Sequence, residues 1–421
     1  MRKNAWLLSA CVGCGVVLSV GVARHMERAD EARALETRSL RLLRAPLGDA
    51  PSLRDLRARE ARELLEQAQE LASEPARDLL VTEARSVELL GRGEVARASL
   101  LLTDALKREP RLRAVAAAAA LARGEANIAQ AELKQLPSAL QTEPRMLLLG
   151  SDVARALGRA DVALTIAQSG LDHHGELAPF VERRGLAREL LGDRQLAQAD
   201  FERAAQLDHR STGALLALGR LHRSAGALTP AILAFQAAAQ RNPNEAEAWL
   251  GSGVCRQAIG DYVAARLELE HAAELQPTRA EPLIALADLD VAEKNVSAAI
   301  RRYRAALLLD PSSALGHVKL GNAFMRAGAV PQAVPQFQAA IAQRPDLAAA
   351  HNGLGAAFVA QGDLTSAETV LQAATRLDPA DAHPWLNLAR LYKRRGDDAA
   401  ESAALRAARA RDPQLTVAAA K

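Results

Sequence analysis

The residues of this chain best able to bind a metal are its nine histidines and three cysteines. Cys11 and Cys14 form a single C-x-x-C motif inside an apolar run, without the second pair or the histidine that would complete four zinc ligands. His317 and His351 stand at equivalent places of a repeating pattern where tryptophan stands elsewhere. We therefore expect them to replace an aromatic ring in packing, and we predict neither a metal site nor a disulfide framework.

The sequence motifs of the common enzyme classes do not occur in the chain. It has no glycine-rich phosphate loop, no G-x-S-x-G and no H-E-x-x-H. Asp288 and Asp290 are two residues apart, so on a helix their carboxylates face different directions. A net charge of +3 and 3% aromatic residues do not provide the basic face and stacking rings that nucleic acids require. We predict a non-enzyme with no cofactor and no nucleic-acid partner.

The strongest pattern in the sequence is structural and has a period of 34 residues. Proline recurs at that interval at Pro243, Pro277, Pro311, Pro345, Pro379 and Pro413. Proline ends a helix because it lacks an amide N–H and clashes with the preceding turn. A constant period of this length is typical of a solenoid of stacked helical hairpins.

Other residue types follow the same period. If the proline is position 32, position 15 is glycine in seven repeats and Lys294 in one, and positions 8, 20 and 27 are mostly small. Position 24 is larger, for example Phe235 and Phe337. Glycine suits the left-handed turn that ends a first helix. The small residues let helices approach closely, and the larger residue fills the space beside them.

These columns resemble the tetratricopeptide repeat family, which shares the 34-residue length, the small positions and the final proline. Trp249 and Trp385 stand at position 4, where the family favours tryptophan. The resemblance covers residues 142–413 as eight consecutive repeats. It implies an all-α fold, a right-handed superhelical solenoid of helix-turn-helix repeats.

The remaining sequence is divided by its composition and by the fading of the repeat. Residues 76–141 keep parts of the pattern and are interpreted as degenerate repeats. Residues 24–75 have a helical apolar stripe but no clear repeat. The ends are an apolar segment, 1–23, and a short tail, 414–421.

Arg2 and Lys3 precede an uncharged run at residues 5–23, which as a helix would span about 28 Å, close to a bilayer core. It is interpreted first as an uncleaved anchor; a signal cleaved after Ala23 and a lipoprotein signal at Cys11 are the alternatives. We expect a bacterial inner-membrane protein with its repeats facing the periplasm. Four arginines within residues 24–38 favour the opposite orientation, with the repeats in the cytoplasm.

In the tetratricopeptide family the second face of each first helix lines a concave groove that binds a peptide. The equivalent positions here are 5, 9 and 12, with 6 and 13 beside them, and we call this surface the predicted groove. Asparagines there suit the backbone amides of an extended ligand, and cations suit an acidic segment or a C terminus. The alternative is a solvated helix face. The polar candidates are Arg220, Arg223, Asp288, Lys319, Asn322, Arg326, Asn352, Asn387, Arg390 and Lys393.

The leading hypothesis is a non-enzymatic scaffold that binds a partner polypeptide in this groove, in bacterial envelope assembly, secretion or surface-polymer export. A second is a self-associating structural membrane protein, because Ser9 with Gly13 and Cys11 with Gly15 are small-residue pairs suited to helix contact in a bilayer. A third is an accessory subunit of a multi-protein enzyme.

Overall fold

The computed structural model describes residues 113–136 and 138–412 of the chain. In this part every regular element is a helix and no strand occurs. The apolar segment 1–23 with Cys11 and Cys14, the region 24–75, most of the degenerate repeats and Pro413 lie outside the described residues. The predictions made for them stay predictions.

The chain divides into two compact units, residues 1–248 and 249–421. The described part of the first unit holds helices α1 to α9. Their bounds are α1 Arg113–Ala122, α2 Ala126–Lys134, α3 Ser138–Gln141, α4 Pro144–Ala156, α5 Ala160–His174, α6 Ala178–Leu191, α7 Arg194–Leu207, α8 Gly213–Ser224 and α9 Leu228–Arg241. Helix α10, Ala246–Ala258, contains the division between the units.

The second unit continues the same alternation of first and second helices. Its helices after α10 are α11 Tyr262–Leu275, α12 Ala280–Ala292, α13 Val296–Leu309, α14 Ala314–Arg326, α15 Val330–Gln343, α16 Ala348–Gln361, α17 Leu364–Leu377, α18 His383–Arg395 and α19 Asp398–Arg411. First helices have even numbers from α4 onward, and second helices have odd numbers.

Each first helix ends where the glycine column predicts. Gly362 follows α16 in the left-handed conformation, with φ +88°. The next residue, Asp363, accepts a hydrogen bond from the Ser366 amide and so caps α17. The same cap occurs at Asp261, Asn295 and Asp397. In these four repeats a polar residue directly after the left-handed turn therefore begins the second helix.

Each proline of the column from Pro243 to Pro379 lies two residues after a second helix. Pro277, for example, follows α11, which ends at Leu275, and Pro311 follows α13, which ends at Leu309. The residue before Pro345, Arg344, has extended backbone with φ −142° and ψ 90°, as a residue before proline prefers. The chain thus leaves the helix at each proline and turns into the next repeat.

The packing columns form the core. The alanines at position 20, from Ala163 to Ala367, have no exposed surface. Phe337 is also fully buried, and a Cβ atom added to Gly321 would lie only 2.7 Å from its ring. Since a real Cβ needs more room, glycine at position 8 of this repeat lets the Phe337 ring pack closely on α14. The predicted all-α solenoid fold is confirmed.

Helices pack in a regular order within each unit. A first helix packs on the second helix of its own repeat, and that second helix packs on the next first helix. First helices also contact the first helices of neighbouring repeats: α4 contacts α6, α6 contacts α8, α14 contacts α16, and α16 contacts α18. The first helices of these pairs therefore lie side by side, and the predicted groove residues lie on first helices.

Candidate functional site

In the first unit, the candidate cations lie on α8. Arg220 is half-buried and donates from Nη1 to Oε1 of Glu247, at the start of α10. Arg223, one turn later, is exposed. Arg220 is therefore held by an ion pair within the unit, and only Arg223 stands open on this helix.

A buried charge cluster lies on the first-helix face of α4 and α6. Asp152 and Glu182 expose only 4% and 7% of their surface. Arg183 joins them, with its Nη2 3.1 Å from Asp152 Oδ2 and its Nη1 3.3 Å from Glu182 Oε1. Arg155 adds a longer contact of 3.4 Å to Asp152. Two buried carboxylates thus face two guanidinium groups that reach toward the surface.

Burial raises the pKa of Glu182, because the ionised carboxylate loses its hydration; the neighbouring Arg183 opposes this effect. Gly213, at the start of α8, leaves room for this carboxylate, since a Cβ there would lie 2.8 Å from Glu182 Oε1 and the side chain would have to shift.

The candidate residues predicted from the sequence did not include this cluster. Asp152 and Glu182 occupy positions 9 and 5 of the first two repeats, whereas position 5 is apolar at Leu216, Leu250 and Ile284. A carboxylate at position 5, which is apolar in six of the eight repeats, was the signal that could have identified Glu182.

In the second unit, Asp288 and Lys319 were predicted separately and the structure brings them together. Lys319 Nζ on α14 lies 2.8 and 2.7 Å from the two carboxylate oxygens of Asp288 on α12. The Tyr303 hydroxyl also donates to Asp288 Oδ1. Burial, followed by this carboxylate, raises the pKa of Tyr303 well above its usual value. Asp288 and Lys319 therefore satisfy each other's charge within the unit.

Three further candidates form a hydrogen-bonded series, which we call the asparagine chain: Asn352 on α16 and Asn387 and Arg390 on α18. Asn387 Nδ2 donates to Asn352 Oδ1 at 2.8 Å, and Arg390 Nη1 donates to Asn387 Oδ1 at 3.0 Å. Asn387 is 8% exposed, so it positions its neighbours and is poorly placed to touch a ligand. Among the described residues none accepts a hydrogen bond from Asn352 Nδ2, which leaves this donor for a ligand.

The remaining candidates are exposed. Asn322 and Arg326 lie on α14, and Lys393 lies near the end of α18. In the described part of the chain no carboxylate forms an ion pair with Arg326 or Lys393. The last three first helices therefore present open cations and amides around the asparagine chain.

The two position-4 histidines bind the preceding turn. The Nε2 atoms of His317 and His351 lie 3.2 and 2.9 Å from the carbonyl oxygens of Pro311 and Pro345. Each ring thus ties a first helix to the proline turn before it. No group of three potential metal ligands occurs in the described residues. In the same residues no helix has the length and apolar character needed to span a membrane.

The model of the tetratricopeptide repeat matches residues 216–280, 284–348, 318–382 and 352–416. None of the curated proteins matches the chain. The crystal structure of the APC/C hetero-tetramer Cut9-Hcn1 is similar in fold, with 14% identity, a TM-score of 0.52 and coverage of 94% of this chain and 98% of that one.

Two other solved structures resemble the chain less closely. Yeast Tom70 has 17% identity and a TM-score of 0.47, over 92% of this chain and 97% of that one. Pseudomonas aeruginosa pilF has 17% identity and a TM-score of 0.43, over 48% and 93%. At these identities the likeness concerns the fold alone.

Proposed function

Residues 216–280 and 284–416 match tetratricopeptide repeats, a repeat that serves protein–protein interaction, and we propose that this chain binds a partner polypeptide along the first helices of its second unit. The partner is an extended segment with an acidic residue or its C terminus near α18. The backbone carbonyls of such a segment would accept hydrogen bonds from the open amides, and its negative charge would pair with the open cations.

The asparagine chain carries this proposal. Its internal hydrogen bonds hold Asn352 and Arg390 in place before a ligand arrives, so little side-chain entropy is lost on binding. Asn352 Nδ2 faces no acceptor in the described residues and suits a backbone carbonyl. The exposed Lys393 lies one turn beyond Arg390 on α18 and suits a carboxylate.

A photo-crosslinking experiment tests the site even though the partner is unidentified. A benzophenone amino acid at position 322 is expected to trap a polypeptide in intact cells, and the same group at the exposed Arg406 of α19 is not. The pair Asn352→Ala with Arg390→Glu is then expected to weaken capture at position 322 by about tenfold or more. Equal capture by this pair and by the control Arg406→Glu would sink the groove proposal.

The cellular setting is a separate proposal, supported by the uncharged run at residues 5–23. We infer that this run anchors the chain in the inner membrane of a bacterium and that the repeats face the periplasm, in envelope assembly, secretion or surface-polymer export. Membrane fractionation followed by protease treatment of spheroplasts tests it. Repeats that resist the protease until the membrane is lysed would place them in the cytoplasm instead.

A further inference from the structure

A cleft that is distinct from the predicted groove opens on the second-helix side of the second unit. Residues of α13, α14 and α15 line it, and its volume, open to solvent, is about 630 Å³. Leu320 and Phe324 of α14 form part of its floor. Each is two residues from Asn322, about 200° around the helix at 100° a residue. The cleft, which we call the outer cleft, therefore lies on the opposite side of α14 from the groove.

The walls of the outer cleft are mostly apolar and unusually exposed. Leu308 is 83% exposed, more than any other large apolar side chain among the described residues. It stands at the rim, while Phe324 below it is buried. An exposed leucine beside an apolar depression is a common mark of a surface that another molecule covers.

Helix α15 forms the far wall. Although much of this helix is exposed, it lacks the charged residues that an exposed helix usually has. It contains no charged residue, whereas each of the other second helices from α5 to α19 has at least one. Pro335 lies inside it and lines the cleft. Because proline has no amide hydrogen, the Pro331 carbonyl lacks the donor that a helix normally supplies four residues later. Helix α15 thus gives the cleft a wall of proline and glutamine side chains without a charge.

The charge at the rim has one sign. Arg304 lines the cleft, with its guanidinium carbon 5.3 Å from the centre of the Phe324 ring. Arg301 and Leu308 share its face of α13 by helical spacing, and all three are exposed. Neither arginine has an ion-pair partner in the described part of the chain, and no carboxylate lines the cleft. A ligand with a negative charge would therefore complement this rim.

We propose that the outer cleft binds a short segment of a partner protein in which a large apolar side chain stands next to an aspartate or glutamate. The apolar side chain enters between Leu308 and Pro335 and covers Phe324. The carboxylate pairs with Arg304 at the rim. This site is independent of the groove, so the chain can hold two segments on opposite sides of one helix.

A random dodecapeptide library displayed on phage and selected on the full chain provides the test. We expect enriched peptides that pair a large apolar residue with an adjacent acidic residue. Their affinity, measured by fluorescence anisotropy, is expected to fall about tenfold or more with Arg304→Glu and with Leu308→Asp. The matched control Val263→Asp replaces another highly exposed apolar residue on α11 and is expected to change nothing, as is Asn352→Ala in the groove.

Exchanging the charges of Arg304 and of the acidic peptide residue distinguishes a direct contact between them from a general disturbance of the surface. Replacing the acidic residue of the peptide with lysine should abolish binding to the natural chain and restore it to the Arg304→Glu variant. Unchanged circular dichroism and thermal midpoint show that both variants fold.

Four outcomes overturn the proposal. They are a selection that yields no acidic-apolar sequence, binding that Asn352→Ala abolishes, sedimentation with anionic phosphatidylglycerol vesicles that depends on Arg304, and a dimer in solution that Leu308→Asp dissociates. The last two would assign the cleft to a lipid surface or to a second copy of the chain.

Discussion

At the scale of single residues, polar side chains on the first helices are used in two ways. Some, such as Asp288 with Tyr303 and Lys319, are paired inside the unit and stabilise the packing of neighbouring repeats. Others, such as Asn322 and Lys393, are exposed and remain open to a ligand. Asp288 and Asn322 occupy the same position of the repeat, so the sequence does not distinguish them. Their contacts in the structure show which is paired and which is open.

The Tyr303 hydroxyl allows the stabilising effect of one such internal pair to be measured. Because Tyr303 is buried and its hydroxyl donates to the Asp288 carboxylate, Tyr303→Phe removes a charge-assisted hydrogen bond and is expected to cost about 1.5–3 kcal/mol of stability. Chemical denaturation measures this loss. Tyr392→Phe is the control, since Tyr392 is partly exposed and donates to Glu368 at 2.9 Å; a loss at least as large as that of Tyr303 would contradict this expectation.

Glu182 gives the chain a specific dependence on pH. Burial raises its pKa in the folded state above the ordinary value for glutamate, so the unfolded state releases the proton more readily than the folded state. Ionisation then opposes folding: the penalty is absent below about pH 4, grows as pH rises through the two pKa values and is complete above the folded one. We therefore expect Glu182→Gln to raise the thermal midpoint at pH 7.

The gain from Glu182→Gln should shrink as the pH is lowered toward about 4.5, where the natural side chain is also protonated in the folded state. Thermal melts of both proteins at several pH values check this. Glu274→Gln serves as the matched control because Glu274 is exposed. A gain that stays constant with pH would show that packing, and not the charge, is responsible.

At the scale of the helix pair, the turn between first and second helix has one irregular member. Lys294 has φ +64° and is the one non-glycine residue with positive φ in the described part of the chain. It occupies position 15, where Gly158, Gly226 and Gly328 have φ between +72° and +76°. The fold imposes the left-handed turn at this place even on a lysine.

Lys294→Gly is therefore expected to stabilise the chain by about 0.5–1 kcal/mol, because glycine adopts this conformation without the steric cost of a Cβ. Chemical denaturation measures it. The reciprocal variant Gly328→Lys should lose a similar amount, since no atom lies within 4 Å of the added Cβ and only the backbone conformation is unfavourable. Destabilisation by Lys294→Gly would mean that the lysine side chain has a role of its own.

Much of this architecture could be predicted from the sequence, because the packing columns repeat. Comparison of the repeats with one another located the small alanines, the glycine turns and the pairing of small position 8 with large position 24. The site could be predicted less well. The contact of Asn387 with Asn352 joins side chains on helices of different repeats, and its existence depends on how those helices pack. Asp152 and Glu182 were missed because their repeats match the family pattern poorly.

At the scale of the whole molecule, the main helix contacts of the described residues lie within a repeat or between neighbouring repeats, so stability is approximately a sum of local contributions. No central core ties distant repeats of the described chain together. Damage in one repeat should therefore weaken that repeat and those beside it, and should fade with distance along the chain.

Phe337→Ala tests this locality. The ring is fully buried, so its loss is expected to cost about 3–5 kcal/mol. Hydrogen exchange read by mass spectrometry should show faster exchange in α14 to α16 and little change in α4 to α7. Leu308→Ala, at an exposed position, should alter neither region. Uniformly faster exchange over both regions would indicate global cooperativity and contradict the nearest-neighbour description.

The residues that pack the repeats and the exposed residues on the first helices occupy different positions of the repeat, and this has a consequence for how the sequence can change. The position-20 alanines leave no exposed surface to change, whereas Asn322 and Lys393 can change without disturbing a neighbour. Substitutions at such exposed positions therefore leave the packing columns intact. Duplication of a 34-residue unit would add one more set of exposed positions next to an unchanged set of packing positions.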